Sequence, residues 1–237
     1  MSTPLLEVWN LCAFYGRAQV LFDLTFRLQA GEVMALVGRN GAGKTTTLKA
    51  VMGLVSASAK QATFKGQSLA RLPTYRIARL GLGYVPEDRR IFTDLTVEEN
   101  LETGRRPVAA GRSPWTPERL FRLFPNLAEM RGRRGNQMSG GEQQMLAIAR
   151  TLMGNPDAIL LDEPSEGIAP VIVQMMAEAI RAMKAEGVAV LLSEQNWAFA
   201  ASISDRACVI ERGEIRFQGS MAELMANEVL RAETLGV

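Results

Sequence analysis

Apolar residues come along this chain in short pulses between turn signals, and the pulses change period from one part to the next. Over 5–11 and 20–28 apolar and polar positions alternate in part, the period of half-buried strands, which predicts an antiparallel sheet near the N-terminus. Positions 33–37 are continuously apolar between Ala30-Gly31 and Gly38, as in a strand buried on both faces. Positions 44–52 read as a helix, and 62–64 and 83–85 as short strands. The stretch 96–153 reads as helical, with breaks at Pro107, Pro114, Pro117 and Pro125. After it, strands at 158–161 and 188–192 alternate with helices at 170–185 and 196–203. A hairpin across Arg212-Gly213 joins strands at 206–211 and 214–217. Buried strands alternating with helices predict an α/β fold whose parallel sheet is covered on both faces. The helical middle, 86–155, is expected as a subdomain inserted into one unit spanning 1–237. No internal repeat or low-complexity linker interrupts it.

Composition narrows the chemistry. The 237 residues are 47% hydrophobic and 22% charged, enough for a sizeable core without covalent staples. A net charge of +2 gives no global reason to expect a nucleic-acid partner. The sequence holds no histidine, which removes His-based metal sites, His general bases and Ser-His-Asp triads together. Cys12 and Cys208 match no metal-binding or CxxC spacing and read as two thiols of a reducing compartment. No stretch approaches the roughly 18 apolar residues of a membrane span, and the first residues lack the basic and apolar regions of a secretory signal. A cytosolic protein, or one held at a membrane by a partner, is expected. The helical middle is basic: Arg105, Arg106, Arg112, Arg119, Arg122, Arg131, Arg133 and Arg134 face few acids. They read as a solvated surface, or as one lying near anionic lipid or an acidic partner loop.

Gly38 to Thr45 reads GRNGAGKT, the pattern G-x-x-x-x-G-K-[ST], after a predicted strand and at the start of a predicted helix. Gly38, Gly41 and Gly43 let the backbone curl, so that N–H groups of the loop, with Arg39, Asn40 and Ala42 between, point inward at phosphate oxygens. The helix start, through Thr46, adds its positive dipole end. Lys44 brings a point charge to the β- and γ-phosphates, and Thr45 a hydroxyl to Mg²⁺. Residues 158–163 read AILLDE, an apolar strand ending in two acids. Asp162 is expected to hold Mg²⁺ through its water shell, and Glu163 to orient or deprotonate the attacking water. The expected ligands are ATP and Mg²⁺.

Residues 137–143 read QMSGGEQ, directly before another predicted helix. This resembles the LSGGQ signature of ABC ATPases, with Met138 for Leu and Glu142 for Gln, and it precedes the acidic strand as in that family. The resemblance implies a P-loop NTPase core of the ABC ATPase type, with an N-terminal antiparallel β subdomain and an inserted helical subdomain that carries the signature. Ser139 and the amides of Gly140 and Gly141, at a helix start, make a second anion site. One chain offers one γ-phosphate, so the second site implies a partner ATPase, identical or unlike, in a head-to-tail dimer sandwiching two ATPs. Tyr15 in AFYG matches the aromatic that stacks on adenine, with Val20 packing nearby, and SEGIAP at 165–170 occupies the loop that crosses the dimer interface. Two positions depart from the family pattern. Glu87 stands where Gln is usual, within reach of Mg²⁺ or the lytic water as an acceptor. Gln195 stands where His is usual and can donate to the γ-phosphate without carrying charge.

VPEDRRIFTDLTVEEN, DEPSEGIAP, SEQN and a tail ending near Leu235-Gly236 are similar to a narrower group, the shorter of the two ATP-binding subunits of branched-chain amino acid importers. Glu87 and Gln195 both fit that group. The resemblance implies separate transmembrane permease subunits, a periplasmic solute-binding protein acting through them, and a place on the cytoplasmic face of the cell membrane. Three other readings stand beside it: an ATP-binding regulatory subunit that hydrolyses weakly, motivated by Glu87 and Gln195; the equivalent subunit of a urea or short-amide importer; and an ABC ATPase acting on DNA or ribosomes, which the single cassette disfavours.

Overall fold

The computed structural model describes residues 3–108, 111 and 113–234, and two sheets organise them. Arg112, Leu235 and Gly236, singled out above, lie outside the described residues. The first sheet is antiparallel. It orders β2 (Ala18–Leu28), β1 (Leu6–Tyr15), β5 (Gln61–Phe64) and β6 (Gln67–Ser68), with β4 (Ser56–Ser58) also pairing β1. The partial alternation of β1 and β2 comes with their pairing, whose register shifts three times between Val8 and Phe14.

The second sheet takes the order β11-β10-β3-β9-β8-β7, from β3 (Val33–Val37), β7 (Leu82–Val85), β8 (Ala158–Asp162), β9 (Ala189–Glu194), β10 (Arg206–Glu211) and β11 (Glu214–Ser220). All its pairs are parallel except the β10–β11 hairpin. Its central strands are buried on both faces, which is why 33–37 shows no alternation. Val33, Ala35 and Val37 pack into one core with α6 (Gly140–Leu152), α7 (Pro170–Ala185) and α8 (Trp197–Ile203). Met34 and Leu36 pack into the other, shared with α1 (Lys44–Val51) and the antiparallel sheet. Cys208 lies on that second face, fully buried in β10 with Leu36 as its register partner.

Between β7 and β8 the chain is less helical than its pattern predicts. Helices form at α3 (Val97–Gly104), α4 (Pro117–Leu123), α5 (Pro125–Glu129) and α6. Pro117 and Pro125 do not break helices; each occupies the first turn of one, where a missing N–H costs nothing. The loop before α3 is tied together by Asn100, which is fully buried. Its side chain accepts from the Phe92 N–H (2.9 Å) and donates to the carbonyls of Phe92, Leu95 and Thr96 (2.9, 3.2 and 2.9 Å). Several of the arginines counted as facing few acids are engaged. Arg105 pairs with Glu102, Arg119 pairs with Glu186 and stacks on Trp115, and Arg131 lies over Phe121. Three helices carried no recognised sequence signal: α2 (Thr74–Arg79), α9 (Met221–Ala226) and α10 (Glu228–Thr234). Each spans about two turns, too short for a periodic stripe to stand out. Among the described residues no helix is long and apolar enough to cross a membrane.

Candidate functional site

The loop after β3 has the shape its glycines permit. Gly38 takes φ +157°, and a Cβ there would stand 2.2 Å from the Ile210 carbonyl oxygen. Gly43 takes φ +110°, and a Cβ there would stand 2.7 Å from Leu21 Cδ2. Conformation and space both exclude side chains at these two positions. Gly43 also precedes α1 and brings no side chain to cap it. The first-turn N–H groups of α1 are left for an anion, with the positive end of the helix dipole behind them. The cleft they border measures about 420 Å³ and is lined by Val20, residues 40–46, Glu87, Glu163, Glu166 and Gln195.

Lys44 folds its ammonium over the loop. Nζ donates to the carbonyls of Gly38 (2.8 Å) and Arg39 (3.2 Å) and pairs with Glu163 Oε1 at 3.0 Å. The two charged side chains are 4% and 6% exposed, so each answers the other in a medium that would penalise either alone. Glu163 follows β8 with φ +46°, a left-handed conformation that residues other than glycine seldom adopt. Its carboxylate thereby leaves the line of the strand, and its N–H is held by the Ser193 carbonyl and hydroxyl, each at 3.1 Å.

Asp162 collects three hydroxyl donors. Thr45 Oγ1 (2.7 Å) and Ser193 Oγ (2.8 Å) donate to Oδ1, and the Tyr84 hydroxyl donates to Oδ2 (3.0 Å). Burial first, then the Asp162 charge, raises the Tyr84 hydroxyl far above its ordinary value, so it remains a donor. The strand order explains the part played by Ser193. β9 lies between β3 and β8, so the end of β9 bridges the phosphate strand and the acidic strand. Glu194 follows, almost fully buried. Its Oε1 accepts from the Ser165 N–H, and its Oε2 from those of Gln195 and Asn196, each at 3.0 Å. The Gln195 N–H also reaches Glu163 Oε2 at 3.1 Å. Glu87 borders the phosphate cleft, and its carboxyl is raised by partial burial and then by the charges of Glu166, Asp162 and Glu163.

Two expected groups stand apart from this cluster. Tyr15, with half its surface exposed, lines an adjoining hollow of about 520 Å³ together with Lys49, Leu54, Tyr84 and Asp162, while Val20 lines the phosphate cleft. Ser139, Gly140 and Gly141 do not line the cleft; they open α6, where Ser139 accepts from the Glu142 N–H (3.4 Å) and Glu142 Oε2 accepts from the Ser139 N–H (2.7 Å). The Glu that replaces Gln thus completes a capping box. Tyr84, Ser193 and Glu194 went unread in the sequence. For Glu194 the signal was present, since LLSE is an apolar strand ending in an acid, the same pattern that marks Asp162 and Glu163. Among the described residues no group of three or more His, Cys, Asp or Glu is arranged to hold a metal. The Thr45 hydroxyl and the Asp162 carboxylate, already in contact, are the hard oxygen donors that Mg²⁺ takes when phosphate oxygens and water supply the rest.

The ABC transporter family model matches residues 21–166. The chain is 41% identical over 227 residues to the high-affinity branched-chain amino acid transport ATP-binding protein BraG of Pseudomonas aeruginosa, covering 96% of this chain and 97% of the relative. It is 33% identical over 239 residues to the lipopolysaccharide export system ATP-binding protein LptB of Haemophilus influenzae, covering 98% and 97%. A solved ATP-binding subunit of an ABC transporter superposes with a TM-score of 0.80 at 31% identity, over 98% of this chain and 96% of that one. The relatives differ in cargo and agree in machinery: this chain belongs to the ABC transporter family, as an ATP-binding and ATP-hydrolysing subunit.

Proposed function

We propose that this subunit energises the import of branched-chain amino acids through separate transmembrane permease subunits at the cytoplasmic face of the membrane. The observation that carries the ATPase chemistry is the convergence of Lys44, Thr45, Asp162 and Glu163 within one hydrogen-bonded cluster. The similarity to BraG along nearly the whole of both chains supports the cargo.

In this reading the loop from Gly38 to Thr46 wraps the phosphates, and Lys44 leaves Glu163 for the β- and γ-phosphate oxygens. Thr45, Asp162 and Glu87 would hold Mg²⁺, which neutralises phosphate charge when bound. Glu163, released from Lys44, accepts a proton from the water that attacks the γ-phosphorus. The bridging P–O bond breaks, and ADP leaves with the electron pair. Gln195 donates its side-chain N–H to a γ-phosphate oxygen. Tyr15 stacks on the adenine beside Val20. Ser139, Gly140 and Gly141 meet the ATP of a second ATPase subunit, identical or unlike, docked head to tail. Residues 86–155 form the helical subdomain that carries this motif, and a periplasmic binding protein delivers the solute.

The similarity to LptB favours a second reading, in which the same motor drives lipopolysaccharide export. One measurement separates the two. The chain is purified with the permease subunits encoded beside it, and phosphate release is followed. A rise with leucine, isoleucine or valine and their binding protein supports import; a rise with lipopolysaccharide alone overturns it.

A further inference from the structure

Two loops leave the strand ends that flank Glu163. One, 165–169, follows β8 and leads to α7; the other, Gln195-Asn196, joins β9 to α8. Register pairs Asp162 with Ser193, so Glu163 and Glu194 are the next residues on adjacent strands, both buried. Their surroundings differ. Glu163 meets Lys44 and the Gln195 N–H, whereas Glu194 meets main-chain N–H groups from both loops. Oxygen Oε1 holds the start of the first loop through Ser165, and Oε2 holds the second through Gln195 and Asn196. Asn196 in turn caps α8, accepting from the Phe199 N–H at 3.1 Å. Burial lifts the Glu194 carboxyl above the usual carboxylate range, and the bonds from Ser165 and Asn196 oppose the lift.

We infer that Glu194 is a positioning residue that clamps the two loops together, so that the segment facing the second ATPase and the Gln195 segment move as one piece. It does not line the phosphate cleft. Its effect on turnover runs through Gln195, whose N–H it shares with Glu163. A bare turn cap would need one loop; the two oxygens of this carboxylate each serve a different one. A neutral amide cannot do the same. In Glu194→Gln one end of the side chain becomes an NH₂ facing N–H donors; one of the two tethers is lost and with it the link through which each loop steadies the other, so both loosen. Glu194→Asp keeps both acceptors on a shorter stem.

The inference rests on Gln195 acting in turnover only for its catalytic half, and the test separates the halves. Amide hydrogen exchange of Glu194→Gln is compared with that of the unaltered full chain. Faster exchange in peptides covering both 164–169 and 195–198 supports the clamp; faster exchange in one loop alone, or in neither, overturns it whatever the activity. Phosphate release then gives the catalytic half. The expected result is a kcat lower by about tenfold with the KM for ATP within about twofold, partial recovery in Glu194→Asp, and no further loss when Glu194→Gln is added to Gln195→Ala. Losses that multiply in the double variant overturn the route through Gln195. Should Glu194→Gln melt well below the unaltered chain, Glu194→Asp carries the same comparison.

Discussion

Lys44 and Glu163 meet at 3.0 Å inside the fold, and each is a partner the other cannot lose cheaply. Removing one member of a buried pair costs about 3 kcal/mol or more, since the remaining charge is stranded. Lys44→Ala is therefore expected to lose tight ATP binding and also to melt lower, and adding Glu163→Gln should restore much of the melting temperature but none of the binding. Calorimetry and equilibrium ATP titration check the two halves. Glu163→Gln alone should retain or tighten ATP binding, because a neutral amide holds Lys44 less firmly, while turnover falls by about 10²–10⁴-fold as for a lost general base. Turnover at the unaltered rate would remove Glu163 from the chemistry. The phosphate loop and the acidic pair were legible because both are compact patterns with fixed chemistry. Tyr84 and Ser193 were not, because nothing in a lone hydroxyl inside an apolar strand says that it will face a carboxylate one strand over.

The helices are set by their ends more than by their length. Thr96, Ser139 and Ser220 each close a capping box with a glutamate three residues on. At Ser139 the cap coincides with the proposed second anion site, which separates two kinds of loss. Ser139→Ala should cost about 1 kcal/mol of stability as a lost cap, a small shift in a urea melt, and a larger share of turnover if the hydroxyl meets the opposite phosphate. An equal, minor loss in both would leave Ser139 as a cap only. Long elements such as α7 and the buried strands were readable from periodicity. The segment between β7 and β8 is less helical than its pattern predicts because buried apolar residues also stand outside its helices, at Trp115, Phe124, Met130 and Met138. Buried Asn100, whose amide ties the 92–96 turn, is the kind of residue a hydrophobic pattern cannot report.

Across the whole molecule, the missing histidines leave carboxylates to set the response to acid. Glu99 and Glu223 are held below the ordinary carboxylate range, first by the N–H groups of Thr96 and Ser220. The support they give is present above that range and is lost as pH falls through their lowered values. Glu194 runs the other way. Its folded form grips a proton more tightly than the unfolded chain does, so its contribution is complete below the ordinary carboxylate value and fades as pH rises through the raised one. Urea unfolding against pH should therefore show an acid limb that Glu99→Gln and Glu223→Gln shrink, and a decline on its alkaline side that Glu194→Gln removes. An unchanged profile in all three variants would contradict this assignment. The sheet topology that brings these groups together was legible only as a class. Alternating strands and helices announce a parallel sheet, but not that β9 lies between β3 and β8.

Cys208 turns that topology into a clock. Its thiol lies on β10 beside the strand that leads into the phosphate loop, and burial pushes it up to about 12. A maleimide or disulfide reagent can reach it only when the parallel sheet itself parts, so each modification event counts one deep opening of the molecule. Cys12, on the outer sheet and partly exposed, supplies a fast internal standard in the same tube. ATP, proposed to bind where β3 ends, should stretch the interval between such openings by the factor 1 + [ATP]/Kd. The slow label then reads nucleotide affinity with no need for hydrolysis, membrane subunits or a fluorescent analogue.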